Sequence, residues 1–417
     1  MSDCYAIAGK CIDQVIAKKG TPKSVVFNEK KSKQTKLIYK LVIESLKYRS
    51  VLQELLKKSQ IGKEIKGEGR LLALSYDFLI GDGLKNKKYL KIFTKYKSVL
   101  KNGLTLMKVK RKATCNEDLL PKDVTTHMPR YARVNLLAGK TAKEIEETLK
   151  ESFNVLKPTP ESFVQTALEM TSKDVLVDPS LKGLFAFHSS TNIADLFLNK
   201  EGYLIIQDRA SCLPPFVLAP KEGETVLDCT AAPGNKTHQL ASAVGRKGKV
   251  IACEADPKRF RLLSSRMKQL YAGEIVESKF QDYLKIDVTQ KPWSDCTKIM
   301  LDPSCSGSGM AHRRIMQEQD PKERIESLAK FQEEALLKAT TFPNAKEISY
   351  STCSTHDREN NEVVNAVLAN AQSWEVANAF KRVPKFCEDS GTNTLSLEPF
   401  SSATNGFFVA LLKRKDK

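Results

Sequence analysis

Val226-Leu227-Asp228-Cys229-Thr230-Ala231-Ala232-Pro233-Gly234-Asn235-Lys236-Thr237 is the stretch whose reading decides the fold. An apolar run of strand type leads into small residues, and a helical pattern starts at the end of the stretch. Small residues after a strand let a bound molecule approach the backbone closely, as a nucleotide-type cofactor loop does. A phosphate loop is excluded by spacing. That motif needs Gly-Lys-Ser/Thr contiguous, with a further glycine upstream, whereas here Asn235 separates Gly234 from Lys236 and the upstream glycine is missing.

Strands and helices alternate outward from this loop. Strands are expected at 203–206, 225–228, 249–254, 274–280, 298–302, 347–351 and 407–412, and helices at 237–244, 257–270, 324–340 and 359–370. Such alternation predicts an α/β, Rossmann-like, mostly parallel doubly wound sheet, whose chemistry lies past the carboxyl ends of its strands. Glu254 ends the second strand after the loop, where a carboxylate can accept from both ribose hydroxyls of a nucleoside. Asp282 follows the third strand and is placed to take an adenine amino group. Either acid alone reads as a helix cap. Together with the loop they read as a nucleoside site, and without a phosphate cradle the nucleoside is S-adenosylmethionine rather than ATP or NAD.

Two cysteines close two of these strands. Cys305 stands in Ile299-Met300-Leu301-Asp302-Pro303-Ser304-Cys305-Ser306-Gly307, and Cys353 in Ile348-Ser349-Tyr350-Ser351-Thr352-Cys353-Ser354. A reactive cysteine is a partly exposed thiolate near something electropositive or a helix start, whereas buried cysteines behave as small apolar residues. Both of these positions favour function, and both thiols are expected to face one cleft. The ten cysteines show no CxxC and no paired metal spacing, so no metal site and a reducing intracellular compartment are expected.

Upstream the composition changes. Residues 1–150 hold 33 Lys+Arg against 15 Asp+Glu, while the remainder holds 34 against 34, so the whole formal charge of +18 lies in the first third. A basic module joined to a neutral one suits a polyanion grip beside a chemical part, with RNA or DNA as partner. Helical spacing of Leu37, Leu41, Ile43, Leu46, Val51, Leu52, Leu55 and Leu56 predicts a bundle to about Lys101. Residues 99–115 then carry lysines alternating with Leu104, Leu106, Met107 and Val109.

Pro129-Arg130-Tyr131-Ala132-Arg133-Val134-Asn135 reads as an alternating strand, with Arg130, Tyr131 and Arg133 offered for RNA contact or stacking. Lys236 is a further candidate for RNA contact or for orienting the loop. His312 and His356 lie near the cysteine turns, but lone histidines are usually polar packing and neither is given a catalytic role. The domains expected are a basic helical domain at 1–125, a small α+β RNA-binding module at 126–200 and a catalytic domain at 201–417. No apolar run approaches membrane-spanning length, so no membrane partner is expected. Met1-Ser2-Asp3-Cys4-Tyr5 does not read as a signal peptide, so none is expected. The cluster Lys108-Val109-Lys110-Arg111-Lys112 suits a nuclear or nucleolar address.

Taken jointly, the loop Ala231 to Thr237, the Asp302-Pro303-Ser304-Cys305-Ser306-Gly307 turn, the Thr352-Cys353-Ser354 turn and Gln207-Asp208-Arg209-Ala210-Ser211 resemble the Sun-domain (Nop2/RsmB-type) RNA cytosine-5 methyltransferases over about residues 129–413. The tract 129–135, Asn235 and the lysine-rich N-terminal region resemble the Rcm1-type large-subunit ribosomal RNA methyltransferases within that family. The resemblance implies a class I methyltransferase fold and methyl transfer from S-adenosylmethionine to C5 of a cytosine in ribosomal RNA, in the nucleolus. It implies Cys353 as the nucleophile at C6, Cys305 as the thiol that assists release, and Asp302 on the N3 and N4 edge of the base. Thr230 to Lys236, Glu254, Arg259, Asp282 and Asp302 would surround the cofactor. The rival reading is a catalytically silent RNA-binding ribosome assembly factor, which would have no need of Cys305, Cys353 and Asp302.

Overall fold

A computed structural model describes residues 3–17, 19–20, 22–29, 34–120, 128–311, 313, 320–383, 393–400 and 402–415. They form two compact units that meet in sequence near residue 126.

The first unit is helical, with longer helices at Cys4–Ile16, Thr35–Lys47, Glu68–Leu79 and Lys97–Arg111. Its core gathers Ile12, Leu41, Leu52, Leu72 and Phe93, all but fully buried. Each such side chain contributes on the order of 1.5–3 kcal/mol. Cys4–Ile16 and Glu68–Leu79 cross at two glycines, and a Cβ on Gly69 would lie 2.2 Å from the Gly9 carbonyl oxygen, so the crossing requires glycine there. The segment read as alternating lysines and apolar residues is a helix to Arg111. Leu100, Leu104 and Met107 are buried at steps of four and three, while Val99, Leu106 and Val109 face outward. Apolar residues on both faces blurred its period.

The second unit holds two sheets. The smaller comprises β1 (Arg130–Val134), β2 (Asn154–Leu156), β3 (Asp174–Val177), β4 (Leu184–Phe187) and β5 (Leu204–Ile206) in the order β2-β3-β4-β1-β5. The helix Ala142–Lys150 between β1 and β2 starts at a capping box of Thr141 and Glu144. One expectation is corrected here. The strand at 203–206 does not open the doubly wound sheet; β5 pairs antiparallel with β1, Ala132 opposite Ile206, so a boundary at 200/201 would cut the smaller sheet. A three-residue apolar run carries no information about which edge it will join.

The larger sheet comprises β6 (Thr225–Asp228), β7 (Lys249–Glu254), β8 (Val276–Phe280), β9 (Lys298–Leu301), β10 (Glu347–Thr352), β11 (Trp374–Ala377), β12 (Leu395–Leu397) and β13 (Phe407–Arg414). The order is β11-β13-β10-β9-β6-β7-β8, with β12 on β13. β6 is parallel to both β7 and β9, β7 to β8 and β9 to β10, whereas β13 runs antiparallel to β10. Leu227, Ile251, Ile299, Leu301 and Ile348 are fully buried, as strands covered on both faces require. The chain order reverses between β6 and β9, and the crevice beyond their carboxyl ends is where such a sheet binds ligands.

Candidate active site

The loop after β6 is shaped by neighbours. Gly234 has φ +100° and precedes the helix Asn235–Val244, and a Cβ there would lie 2.7 Å from Met267 Cε. Arg259 and Arg266, on the helix Pro257–Gln269, hold the loop from the β7 side. Arg259 Nη2 donates to the Ala232 carbonyl at 2.5 Å, and Arg266 donates to the Pro233 carbonyl at 3.2 Å and to Asn235 Oδ1 at 2.7 Å. Asn235 therefore gives the loop a side-chain anchor.

Beneath the loop, Thr237 Oγ1 donates to Asp228 Oδ2 at 2.7 Å. Burial pushes the Asp228 carboxyl up to about 7, despite hydrogen bonds from Thr237 and the Thr230 N–H that favour its charged form. Glu254 is 6% exposed at the end of β7; its Oε1 accepts from Asp256 N at 2.9 Å and its Oε2 lies 3.6 Å from Arg259 Nε. Asp282 differs: its side chain is 40% exposed, caps Leu284 N at 3.1 Å and pairs with Lys285 at 3.4 Å. A recess lined by Asp228, Thr230, Ala231, Ala232, Lys236 and Asp302 opens beside the loop. Small side chains at its floor and a largely buried carboxylate at the next strand end fit a nucleoside cofactor.

Across the switch point, Lys236 Nζ forms an ion pair of 2.7 Å with Asp302 Oδ2, and Ser351 Oγ donates to Asp302 Oδ1 at 2.7 Å. Thr230 Oγ1 donates to the Asp302 carbonyl at 2.8 Å, tying the β6 loop to the β9 turn. Lys236 is half-buried, with its ammonium 5.4 Å above the Phe407 ring. Burial works against its charge, but the Asp302 carboxylate outweighs burial and holds it above its ordinary value. It is therefore not a solvated helix-start lysine.

The two thiols meet. Cys305 Sγ and Cys353 Sγ are 3.2 Å apart, both residues half-buried and neither in a disulfide. Their environments pull them in opposite directions. Cys305 is raised well above the ordinary thiol value by its hydrogen bond with Cys353 and by burial. Cys353 is lowered because that same hydrogen bond, together with the Lys236 ammonium, outweighs burial and the Asp302 charge. Ser351, which shares the Asp302 contact, was not singled out from sequence; its signal is a polar residue inside a buried strand.

The strand reading of 129–135 is corrected. β1 lies between β4 and β5 and is covered on both faces, so its side chains do not alternate into solvent. Tyr131 is 2% exposed and its hydroxyl donates to the Ala403 carbonyl at 2.5 Å, which removes it as a base-stacking platform. Arg133 is 6% exposed and donates to Gln207 Oε1 at 2.6 Å and to the Asn235 carbonyl at 2.9 Å, with His238 Nδ1 at 3.0 Å. It braces the loop after β6 from within and offers no exposed surface for RNA contact. Burial and the Arg133 charge push His238 down to about 3, keeping its ring neutral. Arg130 is half-buried and donates to the Thr191 carbonyl at 2.7 Å. His312 lies outside the described residues; His356 Nε2 is 3.6 Å from Asp320 Oδ2. No helix among the described residues is long and apolar enough to cross a membrane.

Comparison with known proteins is consistent along the chain. Residues 215–413 match the family described as 16S rRNA methyltransferase RsmB/F. Residues 36–120 match the N-terminal domain, and 128–207 the ferredoxin-like domain, of NOL1/NOP2/Sun domain family member 5. The chain is similar to the 28S rRNA (cytosine-C(5))-methyltransferase of Mus musculus, at 31% identity covering 99% of this chain and 91% of that protein. It is 33% identical to the 26S rRNA (cytosine-C(5))-methyltransferase nsun-5 of Caenorhabditis elegans, covering 98% of each. A crystal structure of a methyltransferase homologue from Pyrococcus horikoshii superposes with a TM-score of 0.55 at 23% identity, covering 88% of this chain and 99% of that one, which shows the class I methyltransferase fold. With near full-length relatives at this identity and member-5 domains on either side of residue 126, the chain belongs to the NOL1/NOP2/Sun-domain RNA cytosine-5 methyltransferase family.

Proposed function

We propose that this protein methylates C5 of a cytosine in large-subunit ribosomal RNA through a covalent adduct on Cys353. The observation that carries the reading is the 3.2 Å contact of Cys305 with Cys353 beside the Lys236–Asp302 ion pair. S-adenosylmethionine supplies the methyl group, held by the Thr230–Lys236 loop, Glu254 with Arg259 behind it, and Asp282 at the rim. Cytosine C5 is a poor nucleophile by itself. Addition of the Cys353 thiolate to C6 forms an S–C6 bond and places electron density on C5. Asp302, fixed by Lys236 and Ser351, meets the N3 and N4 edge, accepting from the N4 amino group and passing a proton to N3 as the thiolate adds, so that the charge is neutralised there, an effect of about 10²–10⁴ in rate.

After C5 is alkylated, its proton passes to a water molecule, the C5–H electron pair re-forms the C5=C6 double bond, the S–C6 bond breaks and the thiolate returns. Cys305, against the departing sulfur, assists that stage. The target base has to leave its stack to reach these groups, so opened or single-stranded RNA is the substrate form. The lysine-rich N-terminal unit supplies sequence-independent RNA affinity, and a nucleolar location follows from a ribosomal substrate.

Bisulfite sequencing of ribosomal RNA from cells with and without the protein tests this directly. One large-subunit cytosine should lose protection when the protein is absent and regain it with the intact chain but not with Cys353→Ala. An unchanged pattern overturns the reading.

A further inference from the structure

Cys305 and Cys353 hang from turns after different strands, yet their sulfurs touch. Behind them one carboxylate joins the two turns. Glu359 is 0% exposed. Its Oε1 accepts from Ser306 N at 2.8 Å and from Gln332 Nε2 at 3.0 Å, and its Oε2 accepts from Ser354 Oγ at 2.6 Å. Ser306 is the residue after Cys305, and Ser354 is the residue after Cys353. Gln332 also donates to the Ser304 carbonyl at 3.0 Å, so the Cys305 turn is gripped on both sides of the thiol. Glu359 is itself fixed from β10, where the Tyr350 hydroxyl donates to its carbonyl at 2.6 Å.

All three donors to the carboxylate are neutral groups, so no ion pair among the described residues explains its burial. A fully buried carboxylate is retained where its hydrogen bonds hold something in place. What its bonds join are the two turns that carry Cys305 and Cys353.

We propose that Glu359 is the positioning residue of the thiol pair, clamping the residue that follows each cysteine so that Cys305 stays in contact with Cys353. The reason for such a clamp rests on the functional reading above: a thiol that assists departure of the Cys353 sulfur acts only at contact distance. Charge supports the same role. Asp302 faces Cys305 from the strand ends and Glu359 from behind, both acting to keep it protonated, while Lys236 favours the thiolate of Cys353.

The test reads the geometry separately from the chemistry. Diamide oxidises two adjacent thiols to a disulfide and is itself reduced to the hydrazine, so the rate of Cys305–Cys353 cross-linking, followed by peptide mapping of the full chain, reports how closely the sulfurs approach. Glu359→Ala leaves the Ser306 N–H and the Gln332 amide without their acceptor, and cross-linking should slow about tenfold. Glu359→Gln keeps an acceptor for both and can donate to Ser354 Oγ, so it should cross-link within about threefold of the parent. Ser354→Ala, which removes one tie, should fall between them.

Stabilisation by S-adenosylhomocysteine should persist in all three, a result that general unfolding would not give. Glu359→Ala should also accumulate an RNA adduct resistant to denaturing electrophoresis, as is expected of Cys305→Ala. Cross-linking at the parental rate in folded Glu359→Ala overturns the proposal. If that variant does not fold, a parental rate in Ser354→Ala or a collapse of cross-linking in Glu359→Gln overturns it instead. Absence of adduct in Cys305→Ala would count against the functional reading and leave the cross-linking result standing.

Discussion

Lys236 Nζ lies 2.7 Å from Asp302 Oδ2, and the two residues come from opposite sides of the point where the chain order of the sheet reverses. Lys236 sits in the first turn of the helix after β6, and Asp302 directly follows β9. Their pairing places one positive and one negative group beside Cys353, so the site's electrostatics depend on both halves of the sheet.

Lys236→Met should therefore act on the thiol as well as on the base. With the cation gone, less Cys353 is thiolate at neutral pH, and its alkylation by iodoacetamide should slow, with the midpoint moving to higher pH. Methyl transfer should fall about 10²–10³-fold. An unchanged alkylation profile would separate Lys236 from the nucleophile.

The cysteines should fail differently. Cys353→Ala removes the nucleophile, so neither adduct nor product should form while RNA binding persists. Cys305→Ala should leave attack possible and slow release, trapping protein on RNA under denaturing electrophoresis. An adduct in the first variant and none in the second would reverse the two roles.

Glu254 and Asp282 should not weigh equally on S-adenosylmethionine binding. Glu254 is nearly buried and held by Asp256 N and Arg259, so Glu254→Ala should weaken binding by about 1–3 kcal/mol. Asp282 is far more exposed and pairs with Lys285, so Asp282→Ala should weaken it by roughly 1 kcal/mol or less. Calorimetry giving the reverse order would move the ribose site.

Burial raises the Asp228 carboxyl from an ordinary value of 3.8 to about 7. The folded protein thus holds this proton more tightly than the unfolded chain does. Its contribution to stability is fully present below the unfolded value and is lost as pH rises through the folded one. Between about pH 5 and pH 8, Asp228→Asn should lose less stability than the parent, by about 2 kcal/mol, in denaturant titrations. Parallel pH curves for the two proteins would show that Asp228 does not titrate in this range.

Salt dependence should report the N-terminal unit. Lys97, Lys101 and Lys110 lie exposed on one helix. Changing all three to Gln should weaken RNA binding across sequences and reduce the slope of log affinity against log salt by about 0.7–0.9 for each phosphate that is no longer neutralised. An unchanged slope would place the RNA grip elsewhere.

The local sequence carried the strand ends, because strands buried on both faces must be continuous apolar runs and their chemistry follows at the carboxyl edge. Cys305, Cys353, Asp302, Glu254 and the Thr230–Lys236 loop could therefore be placed from residue order alone. The charge division was equally legible, since it needs only counting. Tertiary structure decided the rest. β5 joined the smaller sheet through long-range pairing, and Tyr131 and Arg133 are buried because distant segments, at Ala403 and at Gln207, Asn235 and His238, pack on their face of β1, which a strand's own residues do not encode. The contact of two sulfurs 48 positions apart, the Lys236–Asp302 pair and the Glu359 clamp arise from strand order and the packing of turns. A sequence specifies which groups can be reactive; only the folded sheet sets the distances at which they change one another's chemistry.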